Sequence, residues 1–191
     1  MPKTLHLTGD AEADQLLSDD PFALLSGMLL DQQIAMEVAF AGPKKIAERM
    51  NGFSVARIAE SDLEEFVELC VRKPAIHRYG GSMGKRVHAL AQHVVEHYDG
   101  AAEAIWTGGD PDGREVLRRL KALPGYGDQK ARIFLALLGK QLGVRPEGWR
   151  EAAGAYGDPD TRRSIADVVD QRSLDEVRAW KKQQKAAAKQ R

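Results

Sequence analysis

Two apolar helical stripes joined by a very short glycine turn constrain this chain more than any other feature of its sequence. Leu120 and Leu123 precede Pro124-Gly125-Tyr126-Gly127, and Ala131 and Phe134 follow it at helical spacing. A turn this tight needs positive φ or close backbone approach, which glycine tolerates and other residues resist. Gly125 and Gly127 would leave amide N–H groups pointing outward at the start of the second helix. There the helix dipole favours an anion, and a nucleic-acid phosphate fits. Taken alone, Gly-x-Gly also fits an ordinary helical corner.

The rest of the chain is read as helix as well, so the expected fold class is all-α. Asp20-Pro21 opens a helix carrying Phe22, Leu25, Met28 and Leu29, with Asp20 as cap and Pro21 at the first position. Gln33 to Met50 continues as helix, broken near Gly42-Pro43. A short helix covers Ser54 to Ala59, and Ser61-Asp62-Leu63-Glu64 resembles a capping box for a helix ending near an inward Cys70. The breaker-rich stretch from Arg72 to Gly84 is expected to be a long loop. From Lys85 to Tyr98 the stripe Val87, Leu90, Ala91, Val94 turns His93 and His97 outward. Further helices are expected at about 114–122, 128–142, 149–156, 161–169 and 173–188. No stretch alternates with a period of two.

With 191 residues, 43% of them apolar and 29% charged, the chain suits one compact unit or two closely packed lobes sharing a groove. No apolar run is long enough to span a bilayer, and the start lacks the pattern of a signal peptide, so a cytoplasmic setting is expected, nucleoid-associated in a bacterium. One cysteine rules out an internal disulfide and a four-cysteine zinc or iron–sulfur site. His93 and His97 have zinc-like spacing but no obvious third ligand, and no metal or cofactor is inferred. The 28 basic and 28 acidic side chains cancel, so an anionic partner must be met by a local patch. The chain is polarised: acidic up to Asp20, and purely basic after Glu176 among its charged side chains. The segment 175–191 is read as a basic helix anchored by Trp180 whose lysines reach toward phosphates, the plainer alternative being a solvated tail.

Leu-Pro-Gly-Tyr-Gly with its apolar flanks resembles the hairpin of the HhH-GPD superfamily of DNA glycosylases. Leu29-Leu30-Asp31-Gln32-Gln33-Ile34-Ala35 resembles the Gln-Gln signature that in this family lies roughly ninety residues before the hairpin, as here. Lys85-Arg86 at the start of an amphipathic helix resembles the element usually found between them. The resemblance implies a two-lobed helical fold with its helix-hairpin-helix at about 115–142. It also implies a groove for double-stranded DNA with a flipped base. Leu123, Gly125, Tyr126, Gly127, Gln129 and Lys130 would grip the DNA, and Gln33 would enter the duplex or support the flipped nucleotide. No membrane or protein partner is inferred.

Two departures from the family pattern matter. Gln129 stands where bifunctional members carry the lysine that forms a Schiff base. Lys130 is the next residue, but one helical step turns it by about 100°, so it reads as a phosphate-binding or solvent-facing lysine. The loop after the hairpin also lacks the family's aspartate. Glu147 is the only carboxylate in that window and Asp31 is the second candidate, each with a plainer alternative: an acid near a helix start, and a cap between helices. Asp158 and Asp160 rank behind them, Asp160 reading best as the cap of the following helix. Trp149 could stack on a base, although packing is the simpler role. The expected function is a monofunctional DNA N-glycosylase of base excision repair. The alternatives are a non-catalytic DNA-binding or damage-sensing protein and a helical scaffold.

Overall fold

A computed structural model describes residues 4–191, and every regular element among them is helical. The α-helices are α1 (Ala11–Asp19), α2 (Pro21–Leu30), α3 (Met36–Phe40), α4 (Gly42–Met50), α5 (Val55–Glu60), α6 (Leu63–Val71), α7 (Gly80–Tyr98), α8 (Ala104–Thr107), α9 (Gly113–Lys121), α10 (Asp128–Gln141), α11 (Trp149–Ala153) and α12 (Gln171–Lys189). Single 3₁₀ turns occupy Gly154–Gly157 and Ile165–Asp167.

The start of α2 follows from its sequence: the Asp20 carboxylate accepts the Phe22 and Ala23 N–H groups, and Pro21 sits in the first turn. Apolar on all sides, α2 is buried from Phe22 to Leu30, as a helix with no polar face must be. It packs against α1, α4, α7 and α10; α5 and α6 pack on α7, and α9 and α11 on α10. One apolar core runs through all of these contacts. No helix among the described residues is long and apolar enough to cross a membrane.

Several boundaries differ from the sequence reading. Helix α7 begins at Gly80, within the stretch expected to be a loop, because its glycines serve helix packing. A Cβ on Gly84 would lie 3.0 Å from the Cys70 side chain, and one on Gly80 would lie 3.3 Å from Val71. Asp62, rather than Ser61, caps α6 by accepting the Glu65 N–H. Helix α1, capped by Asp10, lies outside the helices expected from the sequence. The helix expected at 161–169 is only the short turn at Ile165–Asp167, with Ser164 as its cap instead of Asp160.

Side chains of α10 hold that segment in place of a helical ladder. Gln141 Nε2 donates to the carbonyls of Ile165, Ala166 and Val168. Lys140 Nζ meets the buried Asp167 carboxylate at 2.6 Å. This anchored segment leads directly into α12 and fixes where it starts. Trp149 is a packing residue: it is 7% exposed, and a Cβ on Gly139 would come within 2.5 Å of its ring. Glycine there lets α10 and α11 approach.

Candidate nucleic-acid interface

The hairpin between α9 and α10 is seated on the C-terminal end of α2. Leu123 and Tyr126 are buried, and the Tyr126 hydroxyl donates to the Leu25 carbonyl at 2.6 Å. Lys130 Nζ donates to the Met28 carbonyl at 2.6 Å and lies 3.3 Å from that of Asp31. The last carbonyls of a helix have no intrahelical donor and carry the negative end of its dipole, so an ammonium there supplies both a bond and a charge. Burial pushes the Lys130 ammonium down to about 8. Gly125 has φ +82°, and a Cβ there would lie 2.3 Å from the buried Leu29 side chain. Only a glycine lets the turn lie this close to α2.

Gly127, by contrast, has φ −88°, and a Cβ there would meet nothing within 4 Å. It is the N-cap of α10, and no side chain caps that helix. The first amides of α10 therefore stay open to an outside anion. Gly127→Asp separates this cradle from the fold. A carboxylate at an N-cap accepts the first-turn N–H groups and stabilises a helix slightly relative to glycine. It also repels a phosphate and occupies the donors that phosphate would use, and hydrogen bonds to charged groups are worth about 1.5–3 kcal/mol. The expected result is at least about a tenfold loss of duplex affinity with an unchanged or raised melting temperature. Unaltered affinity would make the hairpin a corner only.

The docked hairpin faces the turn that follows α2, and the two line one groove of about 1240 Å³. Gln32 shapes that turn. Its Nε2 donates to the Leu29 carbonyl at 3.0 Å, and its Oε1 accepts from Arg86 at 3.3 Å. Its carbonyl lies 2.8 Å from His77 Nε2, while His77 Nδ1 accepts the Tyr79 N–H. These partners fix the tautomer with the proton on Nε2. Gln33, held at φ +59°, is exposed in the groove, a conformation uncommon for a residue with a side chain. Across from it, Gln129 Nε2 donates to the Tyr156 hydroxyl at 2.9 Å.

Helix α12 forms the remaining wall. Arg178, Lys182, Lys185 and Lys189 recur at four- and three-residue steps, a single helical stripe, and all line the groove with Lys181, Arg86 and Arg163. A chain of zero net charge thus has a strongly cationic groove. Asp31 is the one carboxylate that lines it among the described residues. Its side chain is 8% exposed, with Lys181 Nζ 3.9 Å from Oδ2. Burial raises its pKa above the ordinary aspartate value, against the pull of Lys181 and Lys130.

Of the residues expected from the sequence, Asp31, Gln33, Gly125, Gln129 and Lys130 line this groove. Others fall elsewhere. Leu123 and Tyr126 face the core, so their side chains seat the hairpin and cannot touch DNA. Lys130 does line the groove, but its half-buried side chain is turned onto the end of α2, where its ammonium bonds the Met28 carbonyl. Glu147 is exposed outside the groove, and its carbonyl accepts the Gly113 N–H at 2.7 Å at the start of α9. That places it beyond the far end of α10, a helix about 21 Å long, from Gln129. Asp158 and Asp160 are likewise exposed and outside the lining. His77, Tyr156 and Arg163 also belong to this region, and nothing in their local sequence distinguishes them. The stripe from Arg178 to Lys189 is expected from the sequence as a basic helix reaching toward phosphates, and its packing as a wall of this groove is not.

A glycine hairpin pinned to a Gln-Gln turn across a cationic groove defines a protein of the helix-hairpin-helix class, built to meet nucleic acid. The chain belongs to the HhH-GPD superfamily of base excision DNA repair proteins, whose family model matches residues 26–191. No match was found among curated proteins or among solved structures.

Proposed function

We propose that this protein is a monofunctional DNA N-glycosylase in which Asp31 supplies the carboxylate. The observation that carries this reading is the position of Asp31 as the one acid lining the groove among the described residues, on the turn that also presents Gln33. A damaged or mismatched base is flipped from double-stranded DNA into the groove, and Gln33 meets the bases left behind. The bond from C1′ to the base breaks, the Asp31 carboxylate stabilises the positive charge that develops on the sugar, and water adds to C1′, the proton it gives up balancing the one the departing base takes up. Gln129 offers an amide where a Schiff base would need an amine. The Lys130 ammonium is engaged with carbonyls of α2.

A second reading, a damage-sensing protein without chemistry, is favoured by the placement of Glu147 outside the groove, which leaves the loop after the hairpin without an acid for the reaction. Incubation with duplexes carrying uracil, alkylated, oxidised and mismatched bases, followed by alkali, decides between them. Alkali-dependent cleavage of at least one duplex, with no covalent adduct on borohydride treatment, is the expected outcome. Tight binding without abasic sites would select the sensor, and a borohydride adduct would overturn the monofunctional assignment.

A further inference from the structure

Resting on the reading of Asp31 as the groove's reactive carboxylate, the placement of α12 assigns a task to one of its lysines. Asp31 ends α2, and among the described residues no hydrogen-bond donor reaches its carboxylate oxygens, so neighbouring charges decide whether it stays ionised. Two cationic side chains act on it, Lys181 and Lys130, and a third, Arg86, lies nearby in the groove. Arg86 on α7 is directed at Gln32 Oε1, 3.3 Å away. Lys130 on α10 is committed to the Met28 carbonyl, and burial lowers its ammonium pKa to about 8. Lys181 on α12 lies 3.9 Å from Asp31 Oδ2, and at 35% exposure it keeps contact with water.

The helix that carries Lys181 is tied down around that residue. Val177 is buried, Arg178 pairs with Glu37 of α3, and the Arg163 guanidinium lies 5.7 Å from the Trp180 ring centroid. Arg178 and Lys181 are three residues apart and so share a face, and the Arg178–Glu37 pair delivers Lys181 to the groove side. We propose that Lys181 is a positioning residue: its ammonium is the counter-ion that keeps Asp31 in the carboxylate form the reaction needs. Its contact with Asp31 also makes the active groove depend on a helix about 150 residues away in sequence. Burial alone would drive Asp31 toward the neutral acid, which cannot stabilise a cationic sugar.

The experiment uses the full chain with Lys181→Met, Lys181→Gln and Lys181→Arg. The first readout is the ¹³C titration of the Asp31 side-chain carboxyl by NMR, assigned by its loss in Asp31→Asn. The second is the acid limb of single-turnover excision against pH. An opposite charge within about 4–6 Å lowers a carboxyl pKa by about one unit or more. Both neutral variants are therefore expected to move the titration and the acid limb upward by about one pH unit, an about tenfold rate loss below the limb, and Lys181→Arg to restore both. Having two neutral variants guards against a single misfolded one, and matching melting temperatures identify the sound variant. A carboxyl titration that superimposes on wild type in the neutral variants overturns the proposal. If the titration moves and the excision profile does not, Lys181 keeps its effect on Asp31, and the assignment of Asp31 to the chemistry falls instead.

Discussion

Asp31→Asn is expected to lower single-turnover excision by at least about a hundredfold while leaving duplex affinity within about twofold. The amide matches the carboxylate in shape and keeps the end of α2 intact, but it carries no charge to oppose a cationic sugar. Interactions made only in the transition state appear in the rate and not in ground-state binding. The pH profile should carry the same signature. Burial holds the Asp31 pKa above the ordinary value of about 3.9. The carboxylate fraction, and with it the rate, should rise with pH along a limb displaced above that value and should fall as pH drops through it. Glu147→Gln is expected to retain full activity, since that side chain lies outside the groove at the opposite end of α10. Full excision by Asp31→Asn would remove the groove's one lining acid from the mechanism.

The fold was legible wherever a local rule decided it. Asp20-Pro21 marked a helix start, continuous hydrophobicity marked α2 as interior, and Leu-Pro-Gly-Tyr-Gly marked the hairpin. Reading failed where tertiary contact overrode local preference. Gly80 and Gly84 look like helix breakers, yet α7 starts at the first and runs through the second, where α6 passes so close that a side chain would crowd it. The segment 161–169 has helical spacing, yet Gln141 and Lys140 bind it from α10 in a form that needs only a single turn. The site divides in the same way. Spacing from the hairpin pointed to Glu147, because sequence distance cannot show that the chain leaves α10 at the end remote from the groove. Helical rotation alone turns Lys130 away from the site, and rotation cannot reveal that the end of another helix presents the Met28 carbonyl there.

Truncation after Lys181 is expected to weaken binding to every duplex sequence alike and to make its salt dependence shallower. The segment removed is exposed along its whole length, so its loss should cost the fold little. Trp180 and Lys181 remain, which preserves the anchor of α12 and the contact with Asp31. The cations that disappear from the groove are Lys182, Lys185 and Lys189. At about 1.5 Å per residue, the rise from Lys182 to Lys189 is about 10 Å, enough to follow a strand of the duplex over successive phosphates. Each phosphate neutralised by a cation contributes about 0.9 to the slope of log affinity against log salt, so three contacts correspond to a slope shallower by up to about 2.7. Discrimination between damaged and undamaged duplex should persist, because phosphate contacts position a protein and carry no sequence information. An unchanged slope would mean that these lysines never reach the backbone, and the open amides of α10 would then bear the phosphate grip with the cations nearer Asp31.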